Sequence, residues 1–205
     1  IITTANDTQL GRGETVEDYR LTARVIRLLF HLQPPWSMSL ARPDRGSPMF
    51  REPAAHGLTR LAPSRCYEFI YPGTFDLKRV SYFFEDEREE EPDPGALDEC
   101  LELVAAWKDR WTRGNKPTLT YFKGWGSLAL HDRRGPVPRS HRFDDRTAQL
   151  YELCADARRR PDLLASFEGD SAFVDATLEE LIAKGLLLEL DDRVLALALP
   201  ENPNH

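Results

Sequence analysis

Ser171-Ala172-Phe173-Val174-Asp175-Ala176-Thr177-Leu178-Glu179-Glu180-Leu181-Ile182-Ala183-Lys184-Gly185-Leu186-Leu187-Leu188-Glu189-Leu190 is the stretch from which the fold is read. Val174, Leu178 and Leu181, supported by Phe173, Thr177 and Ile182, recur at steps of three and four, so one apolar stripe faces inward along a helix. Ser171 is placed to cap its start and Gly185 to close it. Leu186 to Leu190, Asp191-Asp192 and Val194 to Leu199 then read as a terminal hairpin.

Working upstream, Ala148, Leu150, Tyr151 and Cys154 predict a helix capped by Asp144 or Asp145, and a short helix follows around Leu163 to Phe167. Leu119 to Phe122 and Ser127 to His131 alternate like strands around Gly124-Trp125-Gly126, a hairpin signal. A proline-bearing loop, Arg133 to Ser140, separates the hairpin from the first helix. Strands, three helices and a closing hairpin predict a winged-helix-like unit over residues 117–200. A DNA-reading third helix needs cations for the phosphates. This one and its approaches carry Asp162, Glu168, Asp170, Asp175, Glu179 and Glu180 against Lys184, so no nucleic acid is expected to bind through it.

The first half begins with a helix over Val16 to Phe30, whose stripe is Val16, Tyr19, Ala23, Ile26 and Phe30. Thr15 and Asp18 stand in a capping-box arrangement, and Pro34-Pro35 stops the chain beyond. The stretch up to about Tyr71-Pro72 is rich in proline, glycine and arginine and predicts an ordered, irregular connection. Val80 to Phe84 is a short aromatic-rich segment. The acidic run Glu85 to Glu91 reads as a solvated loop. Asp93 and Pro94 then mark a helix start. Leu97, Leu101, Val104, Lys108 and Trp111, with Cys100 and Trp107, continue that helix to Gly114-Asn115-Lys116-Pro117.

Candidate chemistry is sparse. Cys66, Cys100 and Cys154 are far apart and form no cluster spacing, so they read as core thiols and no metal is assigned to this chain. His31 beside the double proline reads as a cap for helix carbonyls. Asp44 between Arg42 and Arg45 reads as a local ion pair, and Trp107 with Trp111 as packing. Neither a glycine-rich phosphate loop nor a nucleophile-elbow sequence occurs, so no catalytic residue is assigned. The net charge of −7 argues against nonspecific nucleic-acid binding. The absence of a long apolar run or signal-like start predicts a cytoplasmic protein with no membrane segment.

Several segments in order resemble the C-terminal part of the radical SAM proteins that mature ribosomally made peptides, the RiPP maturation radical SAM protein 1 family. They are Gly13-Glu14-Thr15-Val16-Glu17-Asp18-Tyr19, His31-Leu32-Gln33-Pro34-Pro35, and Arg42-Pro43-Asp44-Arg45-Gly46-Ser47-Pro48-Met49-Phe50. Tyr71-Pro72, Ser81-Tyr82-Phe83-Phe84 and Leu197-Ala198-Leu199-Pro200-Glu201-Asn202-Pro203-Asn204 continue the series. The resemblance implies a parent enzyme that uses S-adenosylmethionine, a 4Fe-4S iron–sulfur cluster and, in many relatives, cobalamin; some relatives are C-methyltransferases. Gly13 and Glu14 would belong to the barrel rim near S-adenosylmethionine. The CxxxCxxC cluster motif does not occur in these 205 residues, so this chain alone is expected to hold none of those cofactors.

Residues 117–200, with Thr147-Ala148-Gln149-Leu150-Tyr151-Glu152-Leu153-Cys154 opening the first helix, further resemble a PqqD-type element that binds a leader peptide as an added strand. The expectation is therefore an α+β chain in three parts. Residues 1–50 form the remnant of a radical SAM barrel end, 51–116 a connecting segment with one long helix, and 117–200 the winged-helix-like, PqqD-like domain. Its partner would be the leader or core of a precursor peptide. A non-catalytic interaction module or regulator is the competing expectation. A barrel remnant should leave an exposed seam where absent strands would pack; a self-contained core whose first helix buries its apolar stripe completely within the chain would contradict it.

Overall fold

The computed structural model describes residues 2–3, 7–10, 15–40, 42–58, 60–86, 94–114 and 116–201. The architecture is mixed α+β with several sheets. By internal contact the chain divides into two compact units, residues 1–23 with 35–104 and residues 24–34 with 105–205. These units cross the expected boundaries at 50 and 116; two of their borders fall within helices and the third between Pro34 and Pro35. Gly13, Glu14, Glu87 to Glu91, Asp93, Asn115 and Asn202 to Asn204 lie outside the described residues.

In unit 1, β1 (Ile2–Thr3) pairs antiparallel with β2 (Asp7–Leu10), and β2 pairs parallel with β3 (Ser37–Leu40). Between β2 and β3 the chain forms α1 (Val16–Leu28), so the connection is strand, helix, parallel strand. Thr15 and Asp18 make the expected reciprocal cap: the Thr15 amide donates to Asp18 Oδ2 at 2.7 Å, and the Asp18 amide to Thr15 Oγ1 at 3.3 Å. The helix ends two residues before the expected Phe30. Tyr19, Ala23, Ile26 and Phe30 of its stripe are nevertheless buried, at 2%, 1%, 7% and 7% exposure.

The irregular stretch contains only short elements: α2 (Pro48–Arg51), a 3-10 turn at Pro53–His56, β4 (Leu61–Pro63), α3 (Cys66–Ile70) and α4 (Leu77–Val80). β5 (Phe84–Asp86) pairs antiparallel with β4, so the first two acids of the supposed loop are strand residues. Tyr67 ties these pieces together, its hydroxyl accepting from the amides of Tyr82 and Phe83 at 3.0 and 3.1 Å. α5 (Pro94–Thr112) matches the expected long helix.

Unit 2 carries the larger core. β6 (Leu119–Gly124), β7 (Ser127–Asp132) and β8 (Arg139–Asp144) form an antiparallel meander. β8 corrects the expectation that Arg133 to Ser140 is all loop. Its sequence holds Phe143 as its one large apolar residue, and its strand state comes from pairing with β7. α6 (Asp145–Leu153) is capped by Asp144, whose side chain accepts from the Thr147 amide. β9 (Arg158–Arg159) and α7 (Arg160–Ser166) follow. α8 (Ser171–Ala183) is capped one residue earlier than expected, by Asp170.

β10 (Leu187–Leu190) and β11 (Arg193–Ala196) make the terminal hairpin, with β9 on the far side of β11. The chain then returns to the meander, where β12 (Leu199–Pro200) pairs parallel with β6. Leu128, Leu130, Leu150, Val174, Leu178, Leu181, Leu186 and Val194 are all 0% exposed and form the centre of one apolar cluster. Inside it the Tyr151 hydroxyl accepts from the Ala198 amide at 3.0 Å and donates to the Leu186 carbonyl at 3.2 Å. Burial pushes that phenol up to about 12.

Gly185 follows the α8 cap at φ +67°, and the pattern Leu186 N–H to Leu181 carbonyl with Gly185 N–H to Ile182 carbonyl closes the helix. A Cβ there would lie 3.0 Å from Leu28 Cδ2.

His31 is buried too; the Leu28 carbonyl at the end of α1 acts on it, as a helix cap would, but its closest partner lies far away in sequence. Its Nε2–H donates to the Leu197 carbonyl at 2.7 Å, across 166 residues of sequence. Burial holds its pKa below the ordinary value, and the nearby Arg134 guanidinium acts in the same direction. The unfolded chain therefore binds the proton more readily than the folded one. The His31 contribution to stability is complete above about pH 6.5 and declines as the pH falls below it. Urea midpoints measured at pH 7.5 and 5 should fall towards acid in the native chain, and His31→Gln should flatten that dependence. An unchanged slope in the variant would contradict this assignment.

Candidate functional site

The expected site residues Gly13 and Glu14 lie outside the described residues, so the structure brings nothing to them. Of the cysteines, Cys66 is exposed, whereas Cys100 and Cys154 are buried. Cys100 Sγ donates to the Tyr19 carbonyl at 3.3 Å, and burial pushes the Cys154 thiol up to about 12. Cys100 and Cys154 are thus core thiols, as their sequence setting predicts, and the exposed Cys66 is not. Among the described residues no group of three His, Cys, Asp or Glu side chains could hold a metal ion.

Arg42 and Asp44 form the expected ion pair at 2.6 Å. Arg45 does otherwise, donating to the Ser81 carbonyl at 2.6 Å and to the Lys78 carbonyl at the end of α4. Trp107 and Trp111 pack as expected, and their indole N–H groups also donate to the Leu32 and Phe30 carbonyls, both at 2.9 Å. In unit 1, Phe69, Ile70, Phe75 and Tyr82 are 90%, 64%, 50% and 54% exposed. Rings of Phe75, Tyr71, Tyr67, Phe83 and Tyr82 follow one another at centroid spacings between 5.3 and 6.3 Å. An exposed apolar surface of this kind marks a place of contact.

The better-built feature is the edge of the meander. The loop Trp125-Gly126 has two residues, so Gly124 and Ser127 close it as a hydrogen-bonded pair. The Arg133 amide donates to the Thr118 carbonyl at 2.7 Å, in the same phase. On β7, Ser127, Ala129 and His131 thus turn their backbone groups to β6, while Leu128, Leu130 and Asp132 turn theirs to β8. Phe143, His141 and Arg139 answer in register. Ser140 and Arg142 consequently point their N–H and C=O groups away from the sheet. Among the described residues no other backbone group bonds to them.

The opposite edge is closed differently. β12 covers β6 and ends in Pro200, which has no N–H to offer. β8 is thus the long open edge of this sheet, six residues without proline. Its inner face presents Arg139, His141 and Phe143. The His141 and Phe143 rings stack at 6.2 Å and 7°, and Lys184 of α8 lies 5.5 Å from the Phe143 centroid. Burial, followed by the charge of Lys184, lowers the His141 pKa. The strand and the end of α8 therefore share one border.

Sequence reading missed this edge because Arg139 and Ser140 were assigned to a loop; the alternation of His141 and Phe143 was the available signal. No helix among the described residues is long and apolar enough to cross a membrane. No protein-family model, curated protein or solved structure matches the chain.

Proposed function

We propose that unit 2 holds an extended peptide along β8, as the leader-recognition portion of a radical SAM enzyme that modifies a ribosomally made peptide. The chain contributes recognition and no catalysis by itself. The observation that carries this reading is the open β8 edge, with unpaired backbone groups on Ser140 and Arg142 beside α8. Strand addition needs such a row of donors and acceptors and a neighbouring side-chain border to select sequence.

Three further features support it. Meander, α6, β9, α7, α8 and the β10–β11 hairpin follow one another in the order of a winged-helix-like, PqqD-like unit. The parallel pairing of β2 with β3 across α1 is a strand–helix–strand connection of the kind a βα barrel repeats, although β1 beside it runs antiparallel. The exposed aromatic side chains of unit 1 are apolar area of the sort a barrel remnant would leave uncovered, whereas the α1 stripe, buried except for the half-buried Val16, counts against a remnant. S-adenosylmethionine, cluster and cobalamin chemistry belong, on this reading, outside the described residues.

Panning a short random peptide library on the full 205-residue chain tests it. Ser140→Pro removes an outward N–H and leaves the β7 ladder untouched, a substitution that edge strands tolerate. Selected peptides should lose at least about tenfold in affinity for Ser140→Pro, roughly 1.4 kcal/mol. Peptides that bind the variant equally, or a failure to select any, would contradict the proposal.

A further inference from the structure

The chain is acidic, yet its open edge is not. Arg133-Arg134-Gly135-Pro136-Val137-Pro138-Arg139-Ser140-His141-Arg142-Phe143 contains four arginines and no acid, in a protein with net charge −7; the acids at its two ends, Asp132 and Asp144, are engaged by Arg134 and by the Thr147 amide. Arg134 is consumed internally by Asp132, at 2.7 Å. Arg133, Arg139 and Arg142 are exposed and take part in none of the ion pairs found among the described residues. Arg142 reaches only the Ser127 hydroxyl, at 3.5 Å. Elsewhere in the unit several cations are matched, Lys123 with Glu152, Arg146 with Asp170 and the half-buried Arg160 with Glu189 and Asp175, while Lys116, Arg158 and Arg193 stand, like the β8 arginines, outside the ion pairs found among the described residues.

The strand geometry gives these charges a direction. Arg139 lies on the inner face of β8 with His141 and Phe143, and Arg142 on the outer face with Ser140. An incoming strand sends successive side chains to the two faces in turn, so both of its faces would meet an arginine. We infer that the β8 edge is selective for an acidic extended peptide, whose carboxylates pair with Arg139 on one face and Arg142 on the other. This rests on the strand-addition reading and adds the chemical class of the partner.

Charged residues also guard edge strands against pairing with copies of themselves. The two roles coincide here, since cations that repel a second β8 attract a strand of opposite sign. A nucleic acid's phosphates would satisfy the arginines and the outward N–H groups but not the outward carbonyls of Ser140 and Arg142, because phosphates only accept.

The test uses the full chain and capped synthetic peptides of about a dozen residues alternating threonine and valine, with a central threonine and the valine next to it both replaced by glutamate, glutamine or lysine, so that each face carries one substitution. The glutamate peptide should bind at least about tenfold tighter than the glutamine peptide at roughly 50 mM salt, and the gap should shrink at about 500 mM. Arg139→Gln with Arg142→Gln should bring the glutamate peptide down to the glutamine level, whereas Ser140→Pro should weaken every peptide.

Equal binding of glutamate and glutamine peptides, both sensitive to Ser140→Pro, would overturn the acidic preference and leave strand addition standing. Binding indifferent to Ser140→Pro, or no binding of any peptide by the folded chain, would overturn both. A single-stranded RNA that binds more tightly than the glutamate peptide, and does so equally in Ser140→Pro, would assign the arginines to nucleic acid and overturn the inference.

Discussion

Replacing Arg134 with alanine is expected to destabilise unit 2 by about 3–5 kcal/mol, the range for stripping one partner from a buried charge pair. Its side chain is 9% exposed and that of Asp132 13%. The guanidinium donates to Asp132 twice, at 2.9 and 2.7 Å, to the Leu28 carbonyl at 2.8 Å and to the Gly185 carbonyl at 2.9 Å. It thereby joins the end of α1, the end of β7 and the turn after α8. Burial raises the Asp132 pKa, but its bonds to Arg134 outweigh this and leave it lowered. Truncation strands that carboxylate and two carbonyls together. Arg134→Lys should recover only part of the loss, because an ammonium cannot reproduce the planar fork. Urea unfolding followed by circular dichroism measures both; a loss below about 1 kcal/mol for alanine would contradict this role.

Leu178→Ala should cost about 2–5 kcal/mol by leaving a cavity at the centre of the unit 2 core. Leu178 is 0% exposed, one turn beyond Val174 and three residues before Leu181, both also fully buried. Glu179, its immediate neighbour on the exposed face of α8, should tolerate alanine within about 0.5 kcal/mol. The contrast between adjacent positions tests the orientation of the helix. Comparable losses at both would mean that the apolar stripe is misassigned.

The core of unit 2 was legible because its signals are local. Val174, Leu178 and Leu181 repeat with the helical period, Gly185 terminates them, and the two-residue turn at Trp125-Gly126 fixes the register of β6 on β7. β8 and β12 were not legible, because Arg139 to Asp144 and Leu199-Pro200 gain their strand state from partners distant in sequence. The same holds for single side chains. His31 meets Leu197, Arg45 meets Ser81, and Tyr67 meets Phe83 through folding alone. The caps show the opposite limit: Asp170 and Ser171 both suit the start of α8, and only geometry selects Asp170. The candidate edge combined both difficulties, being polar in sequence and defined by a missing neighbour.

Residue-resolved amide hydrogen exchange of the full chain, with and without the glutamate peptide, tests the account most directly. Ser140 and Arg142 should exchange rapidly in the free protein and slow by about tenfold or more when the peptide saturates it, while His141 and Phe143 stay protected throughout. Fast exchange at Ser140 and Arg142 that persists under saturating peptide, or protection of both already in the free chain, would contradict the claim that β8 is an edge awaiting a strand.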